Sequence, residues 1–351
     1  MGRVLGFSKR RNDNLFYLKV ESESKIMPLD LSRTLVVGIS STALFDLKEA
    51  DRMFRELKEE DPDEAIERYR EYMQKREDKP LDPGTGLPLV KALLQLNEHT
   101  PTGEPPITEV VILSQNSPET GVRVLNSIRE RDLDISRSAF TAGASVTDYL
   151  DAFSVDLFLT TDEDDAQTVI DTGKCAAAVL SVPPNRTPIA TDGEVRIALD
   201  GDAVLFSEES ELVYKQEGLE KFHEREDALQ DEPLPGGPYE DFLKALAQMQ
   251  DRLPSRVEYS PVRLALVTSR NSPAELRVIK TLRAWGVYVD LAFFLGGVDK
   301  GPVLRSFNPH IFFDDQDVHV QAAADQVPTG KVLYQSDSDL RDLQEKRESD
   351  A

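Results

Sequence analysis

The chain has a single cysteine and a single tryptophan. Cys175 therefore has no internal disulfide partner, and its place in an Ala-rich apolar run marks it as a small packed hydrophobe. Long apolar runs are absent as well. Nothing approaches the roughly 18 uninterrupted apolar residues of a membrane-spanning helix, and Met1-Gly-Arg-Val-Leu-Gly-Phe-Ser-Lys-Arg-Arg lacks the apolar segment of a secretory signal. A cytoplasmic protein with no membrane partner is the expectation. Positive charge is also scarce: 41 Lys and Arg face 64 Asp and Glu, for a net charge of −23. Such a potential repels DNA, RNA and anionic lipid unless basic residues are segregated, and no basic stripe exists. Lys9-Arg10-Arg11 is short and soon followed by Asp13, so it reads as a solvated arm. No nucleic-acid partner is expected.

What is present is chemistry at the ends of apolar runs. Val195-Arg-Ile-Ala-Leu-Asp200-Gly-Asp202-Ala-Val-Leu-Phe206 is strand-like and closes on two carboxylates separated by one glycine. In an extended chain residues i and i+2 share a side, so both acids can address one ligand. Asp-Gly is also ordinary turn chemistry, so the pair gains meaning only from its context. An acidic pair needs a cation, and Mg²⁺, a hard ion that prefers oxygen, is the natural partner. Downstream, Val262-Arg-Leu-Ala-Leu-Val-Thr268-Ser269-Arg270 ends in hydroxyls and a cation suited to a phosphate. Phe293-Phe-Leu-Gly-Gly-Val-Asp-Lys300 places an ammonium after a glycine turn, where it can offset phosphate charge. Pro309-His-Ile-Phe-Phe-Asp314-Asp315-Gln316 closes a third run on two more acids.

Asp-x-Asp, Ser/Thr, Lys and an acidic pair, in this order, resemble the four motifs of the haloacid dehalogenase (HAD) superfamily of phosphotransferases. Leu199-Asp-Gly-Asp-Ala-Val-Leu-Phe, Thr281-Leu-Arg-Ala-Trp-Gly-Val, Phe293-Phe-Leu-Gly-Gly and Phe312-Phe-Asp-Asp-Gln narrow this to a resemblance to the cytosolic 5'-nucleotidase I family. The similarity extends through Leu44-Phe-Asp-Leu, Pro88-Leu-Val-Lys-Ala-Leu and Ser114-Gln-Asn-Ser-Pro, and spans most of residues 31 to 335. The resemblance implies a Mg²⁺-dependent hydrolase of nucleoside 5'-monophosphates, of AMP or IMP type. Asp200 would be the nucleophile and Asp202 the acid/base. Thr268 would hold a phosphate oxygen and Lys300 would offset charge. The metal would lie among Asp200, the backbone carbonyl of Asp202, Asp314 and Asp315. Ser269, Arg270 and Asn271 are candidates for substrate contact. A phosphatase or phosphotransferase for another small phosphate ester, or a non-catalytic nucleotide sensor, are the competing functions. His319, between two valines, reads as structural, and Trp285 as packed.

The chain also matches itself at an interval of about 154 residues. Leu113-Ser-Gln-Asn-Ser-Pro parallels Val267-Thr-Ser-Arg-Asn-Ser-Pro, and Phe140-Thr-Ala-Gly parallels Phe294-Leu-Gly-Gly. Lys91-Ala-Leu parallels Lys244-Ala-Leu, and Thr172-Gly-Lys parallels Thr329-Gly-Lys. Each charged motif group is missing from the first copy: Ser40 and Thr42 face Asp200 and Asp202, Val146 faces Lys300, and Thr160-Thr161 faces Asp314-Asp315. Apolar runs of strand length alternate with amphipathic stretches, the pattern of a parallel sheet with crossover helices. The expected fold is thus α/β with a parallel sheet in two copies, and the resemblance implies that it is HAD-like and Rossmannoid with a cap insert, degenerate in the first copy and active in the second. The expected organisation is an N-terminal arm (1–30), a degenerate half (31–190), a catalytic half (191–336) with a cap insert at about 207–259, and a charged tail (337–351). A homo-oligomer is left open.

Overall fold

A computed structural model describes residues 30–59, 61–181, 193–254 and 260–349. The expected arm falls almost wholly outside these residues, as do the junction at 182–192 and the segment 255–259. From Leu31 onward the chain holds together as one unit.

In chain order the strands are β1 (Leu35–Ile39), β2 (Phe45–Asp46), β3 (Asp82–Pro83), β4 (Thr108–Ser114), β5 (Arg137–Phe140) and β6 (Leu157–Thr160). They continue as β7 (Ala176–Leu180), β8 (Val195–Leu199), β9 (Val262–Thr268), β10 (Leu291–Phe294), β11 (Ile311–Asp314) and β12 (Thr329–Lys331). Ten form one sheet in the order β10-β9-β8-β11-β12-β7-β6-β1-β4-β5, while β2 and β3 pair separately. Neighbours run parallel except at the centre, where β12 meets β7 antiparallel with Gly330 opposite Leu180. Most inner strands are largely apolar on both faces, as burial under helices on both sides requires, with Thr-Gly-Lys of β12 the exception at the centre; β1, Leu-Val-Val-Gly-Ile, is wholly buried.

The order reads alike from either edge: β5-β4-β1-β6-β7 and β10-β9-β8-β11-β12. Local details repeat with it. Left-handed residues occur at Asp132, Ala142, Gly143 and Ser154, and again at Gly286, Gly296, Gly297 and Asn308. In the helix after β4, Ser127 Oγ donates to Arg123 O and accepts from Leu81 N; in the helix after β9, Thr281 Oγ1 donates to Arg277 O and accepts from Leu234 N. One of the literal matches does not hold in space. Thr172-Gly-Lys174 ends a helix, whereas Thr329-Gly-Lys331 is strand β12, because the helix C-terminus uses its glycine for the left-handed cap and the strand uses its glycine for close approach. A Cβ on Gly330 would stand 2.9 Å from the Phe313 ring and 3.0 Å from Ala178 Cβ, across the central seam.

One face of the sheet carries a single apolar core that runs through both strand sets, from Val37 and Leu180 to Ile197, Tyr239 and Phe313. The opposite face has two separate cores, one around Val111 and Phe158, the other around Ala265 and Phe312. After β8 the chain forms a helical hairpin, Glu209–Glu217 and Leu219–Ala228. It then returns through Pro233–Pro238, where Gly237 N donates to Leu205 O and Gly236 bridges to Phe206. The next helix, Glu240–Gln250, buries Phe242, Leu243, Leu246 and Met249 in the shared core. Within 207–254, then, the hairpin is the part outside that core. Trp285 lies 5.5 Å from the Phe206 ring, packed as its sequence context implies.

Candidate active site

Asp200 and Asp314 end up side by side because β8 and β11 are sheet neighbours and Asp200 N donates to Phe313 O. Parallel strands place their C-terminal ends on one rim, where ligands of such sheets bind. Lys300, just before the Gly301–Phe307 helix, reaches the same point: its Nζ lies 2.9 Å from Asp200 Oδ1 and 2.7 Å from Asp314 Oδ2. All three are buried. Two carboxylates this close repel unless a cation stands between them, and the lysine provides that charge.

The electrostatics follow from this crowding. Burial raises Asp200 to about 7, with Lys300 opposing the rise. Burial also pushes Asp314 upward, but Lys300 and His319 outweigh it and hold the carboxyl below its ordinary value. Asp315 is driven well up by burial and by its neighbours Asp314 and Asp200. Burial disfavours the Lys300 ammonium, yet Asp200 and Asp314 together hold it charged. One oxygen of Asp315 accepts from the Tyr334 hydroxyl; the other, Oδ1, is buried and no donor among the described residues reaches it. An orphaned buried acceptor among further carboxylates is a fit for a hard cation. Asp200, Asp314 and His319 each offer a ligand atom, all within 4.8 Å of one another.

The remaining motif residues lie around this centre. Thr268, at the end of β9 beside β8, is buried and accepts from Arg270 N at 3.2 Å. Asp202 lies on the turn after β8, its carboxylate paired with Arg270 through Nε (2.8 Å) and Nη2 (2.6 Å). Arg270 Nη1 goes to Glu226. Arg270, anticipated as a substrate contact, is thus buried with its guanidinium held by two carboxylates. Ser269 is exposed, and Asn271 Oδ1 lies 2.9 Å from His223 Nε2 of the hairpin.

Three residues of this site were not anticipated from sequence. His319, read as structural, lies 3.2 Å from Asp314 Oδ2 in the first turn of the next helix; its position a few residues beyond the acidic pair was the available signal. Tyr334 and Glu226 carried none, since the one lies beyond β12 and the other in a charged helix.

At the corresponding strand ends of the first set the groups are hydroxyls. Ser40 Oγ lies 3.0 Å from Thr42 Oγ1, Thr161 donates to Thr42 at 2.7 Å, and Ser41 and Ser114 are 2.9 Å apart.

Fold and site together define an α/β protein with a buried acid–lysine centre at one rim of its sheet. Residues 27–339 match the profile of the 5'-nucleotidase family. Human cytosolic 5'-nucleotidase 1B is 34% identical over 314 residues, which cover 88% of this chain and 50% of that protein. The chain therefore spans about half the length of this relative. No solved structure gives a significant match. The chain belongs to the 5'-nucleotidase family, in agreement with the resemblance its motifs carry. Among the described residues no helix is long and apolar enough to cross a membrane.

Proposed function

We propose that this chain is a Mg²⁺-dependent 5'-nucleotidase of HAD type that hydrolyses nucleoside 5'-monophosphates to nucleoside and phosphate. The observation that carries the reading is the meeting of Asp200, Lys300 and Asp314 at adjacent strand ends, with Asp315 Oδ1 without a donor among the described residues. The family match and the named relative supply the nucleotide.

In this reading an Asp200 oxygen attacks phosphorus, the P–O5' bond breaks, and Asp202 gives its proton to the departing nucleoside oxygen. Asp202 then takes a proton from the water that attacks the aspartyl phosphate, and inorganic phosphate leaves with the Asp200 carboxylate restored. The Thr268 hydroxyl donates to a phosphate oxygen and Lys300 balances the charge of the phosphorylated state. Mg²⁺ among Asp200, the Asp202 backbone carbonyl, Asp314 and Asp315 would neutralise phosphate charge and align the reacting atoms. Ser269 and Asn271 remain candidates for substrate contact at the mouth of the site.

We also read the two five-strand sets as copies of one unit, 31–190 and 191–336, with catalysis in the second. The mirrored strand order and the matched left-handed residues support this. The hairpin 209–228 is the cap of the second copy.

A panel of monophosphates tests the reading. Nucleoside 5'-monophosphates should be hydrolysed, with loss of activity on chelation and recovery with Mg²⁺. Equal turnover of sugar phosphates would refute the nucleotide assignment, and transfer to an added nucleoside would make the chain a phosphotransferase.

A further inference from the structure

We propose that Glu226 and Arg270 are positioning residues that couple the seating of the hairpin to the orientation of Asp202. The inference rests on the acid/base role proposed for Asp202 and adds how that carboxylate is held. Arg270 grips both Asp202 oxygens, at 2.6 and 2.8 Å, and turns its third nitrogen, Nη1, to Glu226 Oε2 at 2.5 Å. Glu226 belongs to the Leu219–Ala228 helix and is 0% exposed. Its second oxygen accepts from Arg277 Nη1 (3.0 Å) and Ser210 Oγ (2.8 Å). The hairpin also lays the Phe222 ring over the Arg270 guanidinium, 5.3 Å from its centroid. Two acids and two guanidiniums thus form a closed chain, Asp202–Arg270–Glu226–Arg277, in which every charge has a counter-charge. A buried charge stripped of its partner is strongly unfavourable, so displacing the hairpin leaves Arg270 half-paired and Asp202 free to turn.

A simpler role, fastening the hairpin to the sheet, is weighed by the first strand set. There the hairpin Lys48–Lys58 and Pro62–Gln74 is fastened by Arg123, whose Nε donates to Lys79 O at 3.0 Å, as Arg277 Nε donates to Glu232 O at 2.9 Å. Where Arg277 meets Glu226, Arg123 meets Met73, with Nη1 4.0 Å from the sulfur. The backbone place of Arg270 is held by Asn116: Ala142 N donates to Asn116 O as Gly296 N donates to Arg270 O. The place of Asp202 is held by Thr42. Fastening there needs no buried acid: Tyr69 of the first hairpin donates to Asn116 Oδ1 at 3.1 Å, so a neutral amide in the backbone place of Arg270 ties that hairpin beside the retained arginine. Glu226 and Arg270 occur together with the Asp202 carboxylate, and all three are replaced together where it is absent. The couple serves the acid.

Leaving-group dependence in the full-length chain separates this role from a structural one. A nucleoside 5'-oxygen needs a proton to depart, whereas p-nitrophenolate does not, so an effect transmitted through Asp202 appears in kcat/KM for the first ester and fades for the second. Glu226→Gln is expected to lower kcat/KM for a nucleoside 5'-monophosphate about 30-fold or more and for p-nitrophenyl phosphate less than about 3-fold. In an Asp202→Asn background it should add no further loss. Arg270→Lys, which cannot grip both oxygens, should show the same ratio and serves if Glu226→Gln does not fold. Equal losses on both esters, or full additivity with Asp202→Asn, would overturn the coupling while leaving the hydrolase reading intact. No turnover of either ester by the wild-type chain would overturn both.

Discussion

Lys300 is the residue that allows Asp200 and Asp314 to lie next to each other inside the protein. Its ammonium touches both, so the cluster tolerates the loss of one acid better than the loss of the base. Asp200→Asn should accordingly remove turnover by at least about 10³-fold while the melting temperature stays or rises, because one buried negative charge is gone and Lys300 keeps Asp314. Retained turnover in that variant would refute the nucleophile. His310 gives a second test at this scale. Its Nδ1 accepts from Arg196 N at 3.0 Å, which requires a neutral ring, and burial, aided by the Arg196 charge, lowers it from 6.5 to about 4. A depressed folded pKa means that the unfolded chain binds the proton more readily, so the ring's contribution is intact above pH 6.5 and declines as pH falls toward 4. About 3 kcal/mol of stability should disappear across that window. His310→Asn, whose amide oxygen can accept the same bond without titrating, should flatten the slope of melting temperature against pH between 4 and 6.5.

At the scale of elements, the return segment Pro233–Pro238 after the hairpin is held to the strand turn by backbone closeness. Gly237 lies so near the turn after β8 that a Cβ would stand 2.4 Å from Phe206 O and 2.6 Å from Val204 O; at Gly84, in the first set, the nearest atom is Ala43 O at 2.6 Å. Gly237→Ala should cost about 2 kcal/mol or more, seen as a lower denaturant midpoint, and no change would mean that the loop is free to shift. The strand ends were legible in sequence, since apolar runs stop where Asp200, Thr268 and Asp314 begin, and a parallel sheet aligns such ends on one rim. The pairing of Asp202 with Arg270 was not, because local spacing says nothing about a guanidinium 68 residues away. The division of 207–254 was likewise hidden: Phe242-Leu-Lys-Ala-Leu has the same helical period whether it faces a substrate or, as here, the common core. Thr172-Gly-Lys shows the opposite failure, an identical tripeptide whose glycine does two different conformational jobs.

For the whole molecule, the decisive feature is that the two strand sets share a core on one face. Tyr239, fully buried, follows β8 in sequence yet donates to Ala177 O of β7 and lies 5.0 Å from the Phe313 ring. Arg252 donates across the sets to the carbonyls of Arg33, Pro105 and Pro106 at 2.6 to 2.9 Å. Unfolding should therefore be one cooperative transition, and Arg252→Ala should lower the unfolding free energy by about 2 kcal/mol without splitting it. Two resolved transitions in calorimetry would show that each set stands alone.

The antiparallel contact of β12 with β7 has a geometric outcome. Because the strands of one set point opposite to those of the other, the hydroxyl-lined ends at Ser40, Ser114 and Thr160 open at the far margin from Asp200 and Asp314, separated by about 16 Å of strand length. A compound lodged at the hydroxyl margin would leave the carboxylate margin sterically free.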